Sequence, residues 1–138
     1  MNQINIFNET NFKPVPRKKI QYIANKIFVD NNFSNASINI IILNNEDLKK
    51  INKEFLNHNY YTDVISFRLE DDPLESEVYI SIEKAEENAR GYKVSLTNEL
   101  LRLVAHGTLH IVGFDDDTKE KRDEMHKLEN FYINSRNY

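Results

Sequence analysis

The residue types best suited to chemistry in this chain fall in one stretch, from His106-Gly107-Thr108-Leu109-His110 through Gly113-Phe114-Asp115-Asp116-Asp117. Two histidines four apart on a helix differ by about 40° around its axis and lie one turn apart, so both imidazoles can point at one spot. That is how a helix offers two nitrogens to a single metal ion. Gly113 breaks the helix, and the aspartates that follow can return a carboxylate to the same place. Two histidines with one carboxylate leave a coordination position open, as in catalytic rather than structural zinc sites. Competing readings are plain. A histidine on an apolar helix usually serves as a core or interface residue with one satisfied hydrogen bond, and an aspartate after a helix break often caps the next helix, the role assigned here to Asp117. The spelling is not H-E-x-x-H: Gly107 stands where a metalloprotease carries its general base, so peptide hydrolysis would lack its proton acceptor. Gly107, without a side chain, lets a backbone or a ligand approach closely.

The elements that must position these residues can be read from periodicity. The metal-motif helix starts at a Ser95 cap and runs to Val112, ending at Gly113. Its apolar residues, from Leu96 and Leu100 to Leu109 and Ile111, cover most of its circumference, which predicts a largely buried helix with Glu99 and Arg102 as its other interior charges. Upstream, residues 3 to 7 alternate as a short strand. Pro16 to about Asn31 has helical spacing, with Pro16 in the first turn. Ala36 to Leu43 is β-branched and apolar, suiting a strand buried on both faces. Asn44 or Asn45 caps a helix with a Leu48, Ile51, Phe55 stripe. A polar, aromatic loop from Leu56 to Thr62 leads to a strand at Asp63 to Leu69. Pro73 lies in an acidic loop, and Glu77 to Ile82 reads as the fourth strand. Glu83 to Arg90 is helical and stops at Gly91. Asp117 with Glu120 resembles a capping box for a last helix, whose stripe is Met125, Leu128 and Tyr132. The expected fold is a mixed α/β (α+β) layer: a four-stranded sheet packed by helices, with a buried central helix carrying the metal motif.

Composition narrows the function classes. The chain has 138 residues, 40% apolar, with three glycines, three prolines and no cysteine. One domain spanning 1–138 is expected at this length. Without cysteine there are no disulfides, iron–sulfur clusters, thiolate zinc sites or cysteine nucleophiles. No GxxxxGK[ST] or GxGxxG occurs, so no nucleotide cofactor is expected. The most apolar stretch, Ile38 to Leu43, is interrupted by Asn39 and is far short of the ~18 residues of a membrane span. The N-terminus has no signal-peptide features, which predicts a cytoplasmic protein that avoids membranes. A net charge of −4 argues against gripping nucleic acid through the overall field. A polyanion would need a local basic face such as the run of Lys13, Arg17, Lys18, Lys19 and Lys26, for which a solvated helix surface is the favoured reading.

The chain resembles the YbeY family of ribosomal RNA maturation factors, described as zinc-dependent endoribonucleases. The family signature H-G-x-L-H-x-x-G-Y-D-H is matched by His106-Gly107-Thr108-Leu109-His110 and Gly113-Phe114-Asp115, with Asp116 where the family has its third histidine. Carboxylate oxygen is a competent zinc ligand, and the change makes the site less positive. The resemblance covers residue 36 to the C-terminus. It includes Ile51-Asn52, the run Tyr61-Thr62-Asp63-Val64-Ile65-Ser66-Phe67, Ser76-Glu77-Val78-Tyr79-Ile80-Ser81, Glu99-Leu100, and Met125 with Glu129. The family's arginine ahead of that run is replaced by Leu56, which can neither hold a phosphate nor offset developing charge. Lys53, Arg68 and Arg102 are candidate substitutes.

What the resemblance implies is a zincin-like fold and a single-strand-specific endoribonuclease acting in ribosomal RNA maturation and ribosome quality control. One zinc ion (Zn2+) would be held by His106, His110 and Asp116. RNA and the ribosome or its small subunit would be the partners. His58 would act as proton donor or phosphate contact, with a solvated loop histidine as its competing reading. Asn52, Thr62, Asp63 and Ser66 would line the cleft or orient groups around the metal, and Tyr60 and Tyr61 would stack on bases. Two other classes stay open: an RNA-binding ribosome-assembly factor with a structural metal and little nuclease activity, and a metal hydrolase of another phosphoester.

Overall fold

The structure is a computed structural model and describes residues 1–135. Along the chain run β1 (Gln3–Asn8), α1 (Arg17–Asp30), β2 (Ser37–Leu43), α2 (Asn45–Leu56), β3 (Val64–Asp71), β4 (Leu74–Ser81), α3 (Ile82–Tyr92), α4 (Leu96–Ile111) and α5 (Lys119–Ile133). The strands lie side by side in the order β1-β2-β4-β3. β1, β2 and β4 are parallel, and β3 returns antiparallel to β4 at one edge. This is the mixed four-stranded α+β layer expected from the sequence.

Alternation along the strands sorts the core into two layers. Ile38, Ile40 and Ile42 of β2 and Val78 and Ile80 of β4 pack with Ile20, Ile23, Ile27 and Phe28 of α1 and Leu100, Val104 and Leu109 of α4. On the opposite face Leu43 and Ile65, with Ile41, Phe67 and Tyr79 beside them, meet Leu48 and Ile51 of α2. The expectation that β2 is buried on both faces therefore holds for its second half only. Asn39, in the first half, is half-exposed and accepts from the Asn5 side-chain amide at 3.1 Å.

Helix α4 is the centre of the molecule. It touches α1, α3, α5, β3 and β4, and ten of its sixteen residues are buried. Ser95 caps it as expected, its hydroxyl accepting from the Asn98 N–H at 3.0 Å.

Several boundaries differ from the sequence reading. The acidic segment around Pro73 is a tight hairpin, not a loop: β3 runs to Asp71 and β4 begins at Leu74, with Asp71 opposite Leu74. Burial of Leu74 and Ser76 anchors that end, while the charged side chains of an edge strand remain in water. α3 continues through Gly91 to Tyr92, and the left-handed residue that ends it is Lys93 (φ 58°). Thr118, not Asp117, caps α5, accepting from the Lys121 N–H at 3.1 Å; Asp117 instead pairs with the Lys121 ammonium at 3.3 Å. Pro16 sits at the cap of α1 rather than within its first turn. Phe55 is exposed rather than part of the α2 core stripe, and its ring meets Phe67 edge-on.

Candidate metal centre

The two histidines reach one spot because α4 lies hard against the sheet and then stops abruptly. At Gly107 a Cβ would fall 2.6 Å from Val78 Cγ1 and 3.2 Å from Ser66 Oγ, so only glycine permits this approach of helix to strands. The close neighbour is thus the sheet, not a ligand. Ser66 Oγ donates to the Gly107 carbonyl at 2.9 Å and ties β3 to the helix. At the other end Gly113 adopts φ +110°, a conformation natural to glycine. The Gly113 N–H bonds to the His110 carbonyl at 3.1 Å, the Phe114 N–H to the Leu109 carbonyl at 3.0 Å, and Arg68 Nη1 donates to the Ile111 carbonyl at 3.0 Å. With the last carbonyls satisfied, the chain reverses and brings Asp116 back beside the histidines.

The outcome is a near-equilateral triangle of donor atoms. His106 Nε2 and His110 Nε2 are 3.1 Å apart, and Asp116 Oδ2 is 3.4 Å from each. Three ligands bound tetrahedrally at zinc distances of about 2.0–2.1 Å would be spaced by about 3.3 Å. The donor set therefore fits a divalent cation, and these three form a metal-competent cluster among the described residues. The Asp116 side chain is 39% exposed and those of the histidines 22% and 28%, so the cluster opens to solvent on one side.

A fourth residue, which sequence reasoning did not assign to the site, completes it. Glu129 of α5 is 1% exposed, and its Oε2 lies 2.7 Å from His106 Nδ1. A carboxylate there holds the proton on Nδ1 and leaves the Nε2 lone pair for a cation, the carboxylate–histidine–metal arrangement. Burial alone would hold the His106 pKa down; the hydrogen bond and charge of Glu129, with the charges of Asp116 and Asp63, outweigh it and raise the value. Glu129 is likewise pushed up by burial, and the hydrogen bonds from His106, His126 and Arg102 bring it below the usual glutamate range. The sequence did hold a signal: Met125, Leu128, Glu129 and Tyr132 fall at i, i+3, i+4 and i+7, so a carboxylate stands within an apolar stripe.

Behind His106, a cavity of about 110 Å³ is lined by Asp63, Asn88, Arg102, His126 and Glu129 among others. Arg102 bonds Glu99 through Nη2 at 2.6 Å and Nε at 3.1 Å, and Glu129 through Nη1 at 3.1 Å. Asn88 donates to Asp63 and to Glu99, each at 3.1 Å. Asp63, expected near the metal, thus faces this cavity.

The remaining expected site residues sit in the segment before β3. Asn52 is buried and fastens the loop, its amide donating to the Tyr60 carbonyl at 3.1 Å while its own carbonyl accepts from the His58 N–H. His58 is exposed, stacks on Tyr60 and meets the Tyr60 hydroxyl at 3.0 Å through Nδ1, so its partner lies in its own loop. Tyr61 bonds Glu46 and carries the Lys49 ammonium over its ring. Thr62 is half-buried and Leu56 is 41% exposed. Of the candidate substitute cations, Lys53 is exposed at the end of α2, Arg68 is held by Asp71 and the Ile111 carbonyl, and Arg102 is held by Glu99 and Glu129.

Comparison with known proteins gives one answer. A family model described as Endoribonuclease YbeY matches residues 2–137. A protein named Endoribonuclease YbeY from Chlorobium limicola is 37% identical over 132 residues, covering 95% of this chain and 91% of that protein. One from Chlorobaculum parvum is 42% identical over 99 residues, covering 71% and 70%. The solution structure of a Thermotoga maritima protein superposes with a TM-score of 0.67 at 26% identity, over 95% of this chain and 87% of that one. Nearly full-length coverage at these identities, on the fold and donor cluster described above, places the chain in the YbeY endoribonuclease family.

Proposed function

We propose that the chain is a zinc-dependent endoribonuclease that cuts single-stranded RNA during ribosomal RNA maturation and ribosome quality control, in the cytoplasm and in contact with the small ribosomal subunit. The observation that carries this reading is the donor triangle of His106, His110 and Asp116, with sides of 3.1, 3.4 and 3.4 Å, within a chain of this family. A zinc ion held there would supply Lewis acidity toward a phosphoryl oxygen and lower the pKa of a bound water from ~15.7 towards 7.

The protein's own groups then divide the remaining work. His106 and His110 present nitrogen lone pairs, and Asp116 supplies the negative charge that balances part of the cation's. Glu129 keeps the His106 proton on Nδ1, so that Nε2 stays free. The Tyr60 to Phe67 segment would form one wall of the cleft, with Tyr60, 53% exposed, offering a ring face to an unpaired base. Asn52 fastens that wall, and Thr62, Asp63 and Ser66 fix the strand within it. His58 is the proton donor or phosphate contact of the loop before it. An extended single strand fits such a shallow, open site better than a duplex does, because its bases are free to stack.

A second reading is favoured by Leu56 and by the engagement of Arg68 and Arg102 with other partners: a ribosome-assembly factor with a structural metal and little cleavage. Zinc analysis of purified protein, with cleavage assays on single-stranded and duplex RNA, decides between them. The nuclease reading requires about one zinc per chain and cleavage that His106→Ala and His110→Ala both abolish while retaining the circular-dichroism spectrum. Stoichiometric zinc with ribosome co-sedimentation and no cleavage would establish the assembly factor. Full zinc retention in both variants would remove the metal centre itself.

A further inference from the structure

Four polar residues run along one face of the buried helix α4: Glu99, Arg102, His106 and His110, spaced by three, four and four. That spacing keeps them on one stripe. The first two are remote from the donor triangle, yet their side chains are held on several sides. Glu99 is fully buried and Glu129 is 1% exposed, and both carboxylates are joined by the single guanidinium of Arg102. Its Nε and Nη2 grip Glu99 Oε1, and its Nη1 reaches across to Glu129 Oε1. The ring of Tyr92 covers the guanidinium, 4.8 Å from Cζ. Asn88 holds the other oxygen of Glu99.

The division of the Glu129 oxygens gives this arrangement its meaning. Oε1 receives Arg102 at 3.1 Å and His126 Nδ1 at 3.2 Å, while Oε2 alone faces His106 Nδ1 at 2.7 Å. A carboxylate bonded on one oxygen only can turn about its terminal torsion, which is broad and soft. Two contacts on opposite oxygens fix its plane. We infer that Arg102, anchored by Glu99, is a positioning residue for the metal centre: it fixes the plane of the Glu129 carboxylate so that Oε2 aims at His106 Nδ1 and the His106 Nε2 lone pair aims at the cation. Lysine could not replace it, because a compact ammonium lacks the planar fork that spans two carboxylates. His126 is 59% exposed, so its contact with Oε1 competes with water and contributes less.

This inference rests on the metal-centre reading of His106, His110 and Asp116, and the test separates the two. Zinc affinity is measured by competition with a chromophoric chelator for the wild-type chain and for Arg102→Lys, His126→Ala and the double variant Glu99→Leu/Arg102→Met. The double variant removes Glu99 and Arg102 together, so neither of that pair is left as a lone buried charge, and Glu129 keeps His106 and His126 as partners. The expected result is zinc binding weaker by roughly 10–100-fold in the double variant, the range for loss of groups that orient a ligand, and by roughly tenfold in Arg102→Lys. His126→Ala should stay within about threefold, as expected of an exposed contact. In proton NMR of the zinc-loaded protein, the downfield His106 Nδ1–H resonance should shift or broaden in both Arg102 variants, which a general loss of stability would not cause at a temperature where the fold is intact. If the double variant does not fold, Arg102→Lys carries the decision alone. Unchanged affinity and an unchanged imidazole resonance in a folded Arg102 variant would overturn the inference, as would a larger loss in His126→Ala. Absence of zinc binding in the wild-type chain would instead refute the metal-centre reading.

Discussion

Gly107→Ala is the smallest change that should disturb the centre without touching a donor atom. The added Cβ would sit 2.6 Å from Val78 Cγ1 and 3.2 Å from each of Ser66 Oγ and Val78 Cγ2. Carbon pairs rest at about 3.5–4.0 Å, so α4 must lift from β4 by about 1 Å or Val78 must leave its rotamer. Overpacking of that kind costs about 1–3 kcal/mol. Against it, alanine gains about 1 kcal/mol over glycine inside a helix. The net expectation is a loss of up to about 2 kcal/mol, or a melting midpoint lower by up to about 7 °C for a chain of this size. The assay is a double-mutant cycle by chemical denaturation, with Val78→Ala as the second site. Val78→Ala removes both valine methyls that Cβ would strike and leaves only the 3.2 Å approach to Ser66 Oγ, so in that background the cost of Gly107→Ala should shrink and the change should move towards the ~1 kcal/mol propensity gain. Zinc affinity should fall in the single Gly107→Ala variant and recover in the double. Effects that simply add across the cycle would refute the claim that the glycine exists to let the helix reach the sheet. The same contact explains why a glutamate cannot occupy this position as it does in H-E-x-x-H helices: the side chain would point into β4.

Three further outcomes follow. Asp116→His, which restores the family's donor set on the same turn, should raise zinc retention during dialysis; equal or lower retention would mean that Asp116 is not a ligand. Leu56→Arg places a guanidinium on the cleft loop and should increase cleavage of single-stranded RNA, with no gain meaning that another cation already serves. In metal-free protein, the raised His106 pKa contributes stability that is full below its unfolded value of 6.5 and fades as pH climbs through the folded one. The lowered Glu129 value contributes above 4.5 and fades as pH falls through its folded value. Denaturation midpoints should therefore peak between these limits, while zinc affinity should drop by up to about tenfold per pH unit below the His106 pKa.

Much of the site was legible because its logic is local. The histidine pair follows from helical geometry, and Gly113 marks the break that returns Asp116. What the sequence concealed was tertiary. Glu129 and His106 are 23 residues apart and meet because α5 packs on α4; the only local trace was a charged residue inside the Met125–Tyr132 stripe. The hairpin at Asp72 and Pro73 was hidden by charge, since Glu70 and Glu75 read as loop residues yet pair across an edge where their side chains stay hydrated. Lys93 rather than Gly91 ended α3, because a left-handed residue costs only about 1–2 kcal/mol where the next contacts require the turn. Asp117 took the cap in the sequence reading because Glu120 stands three residues on, but it is Thr118 whose oxygen lies beside an orphan N–H.

The three donors are not held alike, and this accounts for where the site departs from the family. His106 is fixed by a buried carboxylate that is itself bonded to Arg102 and His126. His110 is fixed by the helix, whereas Asp116 stands on a turn, 39% exposed. Changing His106 strands a hydrogen-bonding oxygen of Glu129 inside the protein, at about 1–3 kcal/mol. Changing Asp116 strands nothing, because water replaces it. In the presence of a chelator, His106→Ala should therefore lower the denaturation free energy by about 1–3 kcal/mol, whereas Asp116→Ala should stay within about 0.5 kcal/mol of wild type. Both should lose zinc. A His106→Ala protein as stable as Asp116→Ala without metal would show that Glu129 is satisfied by other means. A donor on the turn can thus change chemical type without a folding penalty, and it is there, not on α4, that this chain exchanges imidazole for carboxylate.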